Sequence, residues 1–320
     1  MLLDTILFIA GLALVIFGAN WLVSGSSALA KKFNVSDLVI GLTIVAFGTS
    51  APELVVNIFA SSEGHHDVVM GNIIGSNIFN LFLILGLAGV ITPLSVQLST
   101  VWKEIPFSFL AIVFLYIIAN DIIHDDNQVI TGADGFYLLC MFVAFLISIY
   151  RNMKNDKEVT IDSPQTSYAA TKIWLLIVLG LAGLIAGGKF VVSSAVNIAT
   201  ELGVSEKIIG LTIVAAGTSM PELATSVVAA LRGNSDIAVG NVIGSNIFNI
   251  FFILAISAMV HPVDYNIKFN KDLLFLGFGT LFLFTAMFTC QKKKLDRWEA
   301  ALLLGCFVFY SGYLILGEIG

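Results

Sequence analysis

Two glutamates, Glu53 and Glu222, occupy matching settings 169 residues apart, Gly48-Thr49-Ser50-Ala51-Pro52-Glu53 and Gly217-Thr218-Ser219-Met220-Pro221-Glu222. The same offset aligns a second pair of motifs, Gly71-Asn72-Ile73-Ile74-Gly75-Ser76-Asn77-Ile78-Phe79-Asn80 and Gly240-Asn241-Val242-Ile243-Gly244-Ser245-Asn246-Ile247-Phe248-Asn249. Carboxylates, hydroxyls, amide oxygens and main-chain carbonyls form an all-oxygen donor set, which is what a hard cation takes; Ca2+ accepts such oxygens at about 2.3–2.6 Å with loose geometry. Both glutamates fall deep inside long apolar stretches, where a carboxylate costs on the order of 3 kcal/mol to insert. Protonation, a basic partner or a bound cation must offset that cost. The one base placed within a span is Lys189, a single residue for two acids.

The prolines add backbone oxygens to this set. Pro52 has no amide hydrogen and its ring crowds the carbonyl of Gly48; Pro221 does the same to Gly217. A helix break there would free carbonyls near Ala46 to Thr49 and near Ala215 to Thr218 to face a cavity. Ser50-x-x-Glu53 and Ser219-x-x-Glu222 also have the form of capping boxes that start the second part of a broken helix. Capping requires no buried ionisable group at both equivalent places, which favours the ion site. In the second motif Asn72, Ser76 and Asn80, and likewise Asn241, Ser245 and Asn249, have i, i+4, i+8 spacing and line one helix face. Gly71, Gly75, Gly240 and Gly244 beside them would admit a neighbouring backbone. For Asn72, Asn77, Asn241 and Asn246 an amide-bonded helix interface is an equal alternative to ion binding. Ser76, Asn80, Ser245 and Asn249, nearer the middle of their spans, are the better ligands.

The elements that must carry these residues are read from composition. With 58% hydrophobic and 12% charged residues in 320, the chain is too apolar for a soluble protein. Ten apolar segments, near 3–30, 36–62, 68–92, 104–120, 129–150, 171–199, 206–231, 236–260, 272–290 and 298–317, approach the ~20 residues that cross a bilayer as helix. The sequence predicts an all-α membrane protein: ten transmembrane helices in two inverted five-helix repeats, with broken helices at the centre. Residues 1–151 form the first repeat, 152–170 a cytoplasmic linker and 171–320 the second repeat. An odd number of spans per repeat inverts one half relative to the other. Threading ten spans gathers most Lys and Arg on one face, leaving Lys207, Lys268 and Lys271 on the other. By the positive-inside rule the basic face is cytoplasmic and both termini lie outside the cell membrane. Asp4 and the lack of a basic leading region argue against a signal peptide at the N-terminus.

Other features carry less. Neither HExxH nor GxSxG is present, which argues against an enzyme, and Asp125-Asp126-Asn127 lacks the spacing of an EF-hand loop. His65, His66, His124 and His261 fall at the outer face without chelating spacing. Cys140, Cys290 and Cys306 show no paired spacing.

Taken together, Gly-Thr-Ser-x-Pro-Glu and then Gly-Asn-x-x-Gly-Ser-Asn-Ile-x-Asn, present in both halves, resemble the paired α-repeats of the calcium/cation antiporters, and specifically the prokaryotic sodium/calcium exchangers. The resemblance covers essentially the whole chain. It implies that Glu53 and Glu222 bind Ca2+ with the carbonyls of Thr49 and Thr218. It further implies flanking Na+ sites built from Ser50, Ser76, Ser219, Ser245 and the carbonyls of Ala46 and Ala215, with Asn80 and Asn249 lining the centre. Some relatives, the potassium-dependent exchangers among them, carry Asp where this chain has Asn249, which argues against K+ co-transport. The implied function is a secondary active antiporter exchanging Na+ for Ca2+ by alternating access, with the first and sixth spans as sliding elements. A Ca2+/H+ antiporter and, more distantly, a cation channel are the alternatives. The expected partners are Ca2+ and Na+ as substrates and the lipid bilayer, with no cofactor, no nucleic acid and a monomer as the working unit. Glu53→Gln should abolish transport and leave folding intact; Ca2+ movement at the wild-type rate in that variant would remove Glu53 from the mechanism.

Overall fold

The computed structural model describes residues 2–120, 128–155, 169–201, 215–289 and 293–319. The Asp121 to Asn127 loop with His124, most of the expected linker (156–168), Glu206, Lys207, the repeat segment 210–214, Cys290 and Lys292 lie outside the described residues.

The chain runs through α1 (Leu2–Phe33), α2 (Asp37–Thr49), α3 (Ala51–Ser62), α4 (His66–Ile91) and α5 (Thr100–Ala119) to α6 (Gly132–Asn155). It continues through α7 (Ala170–Glu201), α8 (Ala215–Thr218), α9 (Met220–Leu231), α10 (Ser235–Val260), α11 (Phe269–Ala286) and α12 (Arg297–Ile319). Among the described residues seven helices are long and apolar enough to cross a membrane, and the bent pair α2–α3 makes an eighth if it forms one span. The protein is therefore an all-α, multi-pass membrane protein. Four two-residue strands among the described residues, too short to leave an alternating pattern in the sequence, are the exception. Leu94–Ser95 (β1) pairs antiparallel with Lys294–Leu295 (β4), and Val129–Ile130 (β2) with Val263–Asp264 (β3). Each pairing joins the early part of the chain to the late part.

Burial sorts the helices. In α4 and α10 the apolar windows are 72% and 83% buried, against 28–39% in the other long helices, so these two form the centre and the rest face outward. Both motif helices are thus enclosed by protein. Phe248 of α10 packs edge-on against Phe47 of α2 and Phe142 of α6, with ring centroids 5.1 and 5.2 Å apart, a favourable aromatic geometry. Both central helices also change pitch at the same point, with π turns over Phe79–Ile84 and Asn249–Ile253. The i, i+4, i+8 stripe expected from the sequence therefore stops being regular at its last member, because a π turn holds an extra residue and rotates the next stretch of helix about its axis.

The turns entering α4 and α10 are built alike. Gly64 and Gly233 take φ of 74° and 73°, and the next amides, of His65 and Asn234, bond back to Ala60 and Ala229 at 2.8 and 2.9 Å. This is the Schellman closure, which favours glycine at the left-handed position. α1 and α7, each of 32 residues, pack together at their glycines. A Cβ at Gly18 would lie 2.8 Å from the Gly180 carbonyl oxygen, and one at Gly187 would lie 2.8 Å from the Gly11 carbonyl oxygen. Close approach of this kind is the main source of helix association in lipid, where no hydrophobic force acts between helices. Gly18→Ala should therefore cost about 1–3 kcal/mol through overpacking and lower the thermal unfolding midpoint in detergent. Gly305→Ala, which meets nothing within 4 Å, should not lower it.

Candidate functional site

The break predicted at the prolines is present. α2 and α3 meet at Ser50 with a bend of 47°, and Ser50 and Ser219 share nearly the same conformation, φ/ψ of −82°/8° and −87°/10°. Pro52 and Pro221 fall in the first turn of α3 and α9, where a missing amide hydrogen is tolerated. Glu53 and Glu222 sit in the same first turns, so the positive end of each half-helix dipole lies beside a carboxylate.

The capping-box alternative is not what the structure shows: neither Ser50 nor Ser219 makes a side-chain cap bond. Each serine instead reaches across to the other glutamate. Ser50 Oγ donates to Glu222 Oε1 at 2.8 Å, and Ser219 Oγ donates to Glu53 Oε1 at 3.0 Å. Ser50 and Ser245 hydroxyl oxygens lie 3.0 Å apart, and Ser219 and Ser76 lie 3.2 Å apart. Six of the expected site residues are thereby brought into one cluster.

A second layer crosses just as reciprocally. Asn80 Nδ2 donates to Asn246 Oδ1 at 3.1 Å, and Asn249 Nδ2 donates to Asn77 Oδ1 at 2.9 Å. Asn77 Nδ2 donates to the Asn246 carbonyl at 3.2 Å and Asn246 Nδ2 to the Asn77 carbonyl at 3.4 Å. Asn77 and Asn246, for which the sequence leaves interface and ligand readings open, are interface amides that aim Asn80 and Asn249. Thr49 Oγ1 donates to Asn241 Oδ1 at 3.0 Å, and Thr218 Oγ1 faces Asn72 Oδ1 at 3.4 Å. Asn72 and Asn241 stand on the i, i+4, i+8 stripe and recur at the offset of 169, a pattern that does not say which threonine each meets.

Two expectations need correction. The Ala46 carbonyl is not freed by the break, since it accepts the Ser50 amide at 3.0 Å; Pro52 removes the donor four residues after Gly48, not the one that serves Ala46. The Thr49 hydroxyl also donates to the Ala46 carbonyl, at 3.4 Å. Ala215 opens the short helix α8. The four motif glycines also differ. A Cβ at Gly244 would lie 2.8 Å from the Ala46 Cβ, and one at Gly240 would lie 3.0 Å from the Leu38 carbonyl oxygen, whereas one at Gly75 would meet nothing within 4 Å and one at Gly71 only Phe269 at 3.9 Å. α2 packs onto α10 through Gly240 and Gly244.

What remains around the cluster is a set of oxygens without donors. Glu53 and Glu222 are 2% and 1% exposed, Asn80 and Asn249 1% each. Glu53 Oε2, Glu222 Oε2, Asn80 Oδ1 and Asn249 Oδ1 are all buried with no hydrogen-bond partner. Unmet buried acceptors on this scale are rare in a folded protein and require an explanation. Lys189 does not supply it, because it is exposed on α7 and, among the described residues, forms no ion pair with either glutamate. A cation fits the donor set.

The histidines play another part: His66 Nδ1 accepts the Asp264 amide at 3.1 Å, fixing the start of α4 to β3. Among the described residues no group of three or more His, Cys, Asp and Glu is placed to hold a metal.

Comparison with known proteins decides the family. The sequence profile described as "Sodium/calcium exchanger protein" matches residues 3–151 and 172–316. This chain belongs to the sodium/calcium exchanger family. It is 36% identical to the "Putative antiporter CaxA" of Alkalimonas amylolytica, covering 99% of this chain and all of the relative. It is 28% identical to the "Sodium/calcium exchanger MaX1" of Methanosarcina acetivorans, covering 97% of each. A solved structure of the sodium-calcium exchanger NCX_Mj superposes with a TM-score of 0.84 at 33% identity, over 98% of this chain and 99% of that one. Members of this family are cation transporters, so the protein is a transporter and not an enzyme, as the missing catalytic motifs imply.

The crossed amides should act as one unit. Asn77→Ala and Asn246→Ala should each lower stability, and the double variant should cost less than the sum, with a coupling of about 1–2 kcal/mol in a denaturation cycle. Strict additivity would show that the four amides do not hold one another.

Proposed function

We propose that the protein exchanges Na+ for Ca2+ across the cell membrane by alternating access. The observation that carries this is the two-fold set of buried, donor-free oxygens around Glu53 and Glu222, held by hydrogen bonds that cross between the two halves. Two carboxylates balance one Ca2+ or two Na+, so the competing loads share the same charges. A third Na+ would leave the loaded site net positive and make the exchange electrogenic.

In this scheme Glu53, Glu222 and the carbonyls of Thr49 and Thr218 take Ca2+. Ser50, Ser76, Ser219, Ser245 and the carbonyls of Ala46 and Ala215 take flanking Na+, while Asn80 and Asn249 present their free oxygens to the centre. Both substrates bind in the transmembrane region and no cofactor is needed. The reciprocal bonds at the 169-residue offset support two inverted five-helix repeats, 1–151 and 171–320, joined by a cytoplasmic linker at 152–170, with ten spans and both termini outside. The family match skips 152–171, which is compatible with that division. The chain works as a monomer, since both halves of the site come from one polypeptide.

The names of MaX1 and NCX_Mj support Na+ as the coupling ion. The decisive measurement is 45Ca2+ uptake into proteoliposomes at clamped pH, with and without an opposing Na+ gradient. Uptake should depend on the Na+ gradient, saturate, and shift with membrane voltage. Uptake driven by a pH gradient alone would establish Ca2+/H+ exchange, and unitary currents would establish a channel. Glu222→Gln should lower Ca2+ affinity by about 100-fold or more, because losing one partner of a buried ionic contact costs about 3–5 kcal/mol.

A further inference from the structure

A separate groove of about 480 Å3 lies between α1, α2, α6 and α7, with Leu29 and Phe33, Val39 and Ile44, Ile149, and Trp174 on its walls. Its floor is packed and its mouth is open and aromatic: Leu29 and Ile149 are 1% and 4% exposed, while Phe33 and Trp174 are 61% and 48% exposed. Thr43, the polar residue on the α2 wall, turns its hydroxyl to the Val39 carbonyl at 2.6 Å and offers the groove only its methyl side. A cleft of this composition suits hydrocarbon, and aromatic rings at its mouth match the headgroup level of a bilayer.

The rim is basic. Lys31 and Lys32 directly precede Phe33, Arg151 comes directly after Tyr150 at the end of the α6 wall, and Lys172 lies two residues before Trp174. Lys32, Arg151 and Lys172 are exposed, as is Lys31. Asp37, beside this rim, faces Lys31 and accepts a bond from Asn234 Nδ2 at 2.7 Å. An apolar slot between membrane helices with clustered Lys and Arg at one end is complementary to a single amphiphile whose head is anionic.

We propose that this groove holds one anionic glycerophospholipid, an acyl chain lying on Leu29 and Ile149 and the phosphate resting among Lys31, Lys32 and Arg151. The lipid touches α1 and α7 on one side and α2 on the other. α2 runs on to Thr49 and Ser50, so the occupant contacts both the glycine-packed helix pair and the element that carries the site. Its presence therefore tunes how easily these parts shift past one another.

Lipid retention can be read without any transport assay, by native mass spectrometry of protein released from nanodiscs of phosphatidylcholine with phosphatidylglycerol. The wild type and a Lys268→Gln/Lys271→Gln control should keep one phosphatidylglycerol. A Lys31→Gln/Lys32→Gln/Arg151→Gln variant should keep about tenfold less or lower still. Ile44→Trp, which fills the slot with the charges intact, should lose it as well, so the proposal stays testable if the triple variant folds poorly. Equal retention by the wild type and Ile44→Trp would overturn it. So would a wild type that keeps no anionic lipid, whether residues 156–168 or a second copy of the chain cover the groove, and so would equal retention of phosphatidylcholine. None of these outcomes bears on Na+/Ca2+ exchange.

Discussion

The fold is organised around two carboxylates buried in a medium that cannot solvate them. Unpaired charge in a bilayer is among the most costly features a membrane protein can carry, and each glutamate receives a serine hydroxyl from across the site. The remaining carboxylate oxygens, together with those of Asn80 and Asn249, have no donor. The crossed serines and amides orient these oxygens. The arrangement presents negative charge and lone pairs without a hydrogen to meet them, which is the electrostatic description of a cation site.

Holding such a site open requires irregular backbone at the depth where backbone is least free to be irregular. The chain confines the irregularity to places enclosed by protein. Pro52 and Pro221 break helices at their first turns, where the lost amide costs little, and π turns over Phe79–Ile84 and Asn249–Ile253 re-aim the central helices at the asparagines. α4 and α10 are the two most buried long helices, so freed carbonyls face protein or the site and not lipid, as the bilayer demands. Outside this core, α1 and α7 touch through backbone at glycines.

The crossed bonding has a mechanical side. Because Ser50 serves Glu222 and Ser219 serves Glu53, neither half completes its own carboxylate, and displacement of one half alters the ligand field of both. In the proposed exchange, binding and movement are coupled through the same few hydrogen bonds. The lipid proposed for the groove beside α2 would touch the element that carries that coupling.

Much of this was legible in the residues themselves. Burial of an acid after Ser-x-Pro, repeated at one offset, reveals the glutamates, the serines and the helix break, because each arises from local chemistry: insertion cost, a missing amide hydrogen, a short hydroxyl side chain. The composition and the long apolar segments give a helical membrane protein for the same reason. What the residues could not decide was partnership. Whether Ser50 would cap its own helix or reach Glu222, and whether Asn77 would bind an ion or hold Asn249, depend on how segments about 170 residues apart approach one another. Hydrogen-bond geometry is decided over tenths of an ångström between such segments, and a one-dimensional pattern holds no information on that scale. Amino-acid type fixed the inventory of oxygens; packing alone determined which of them were left without a donor.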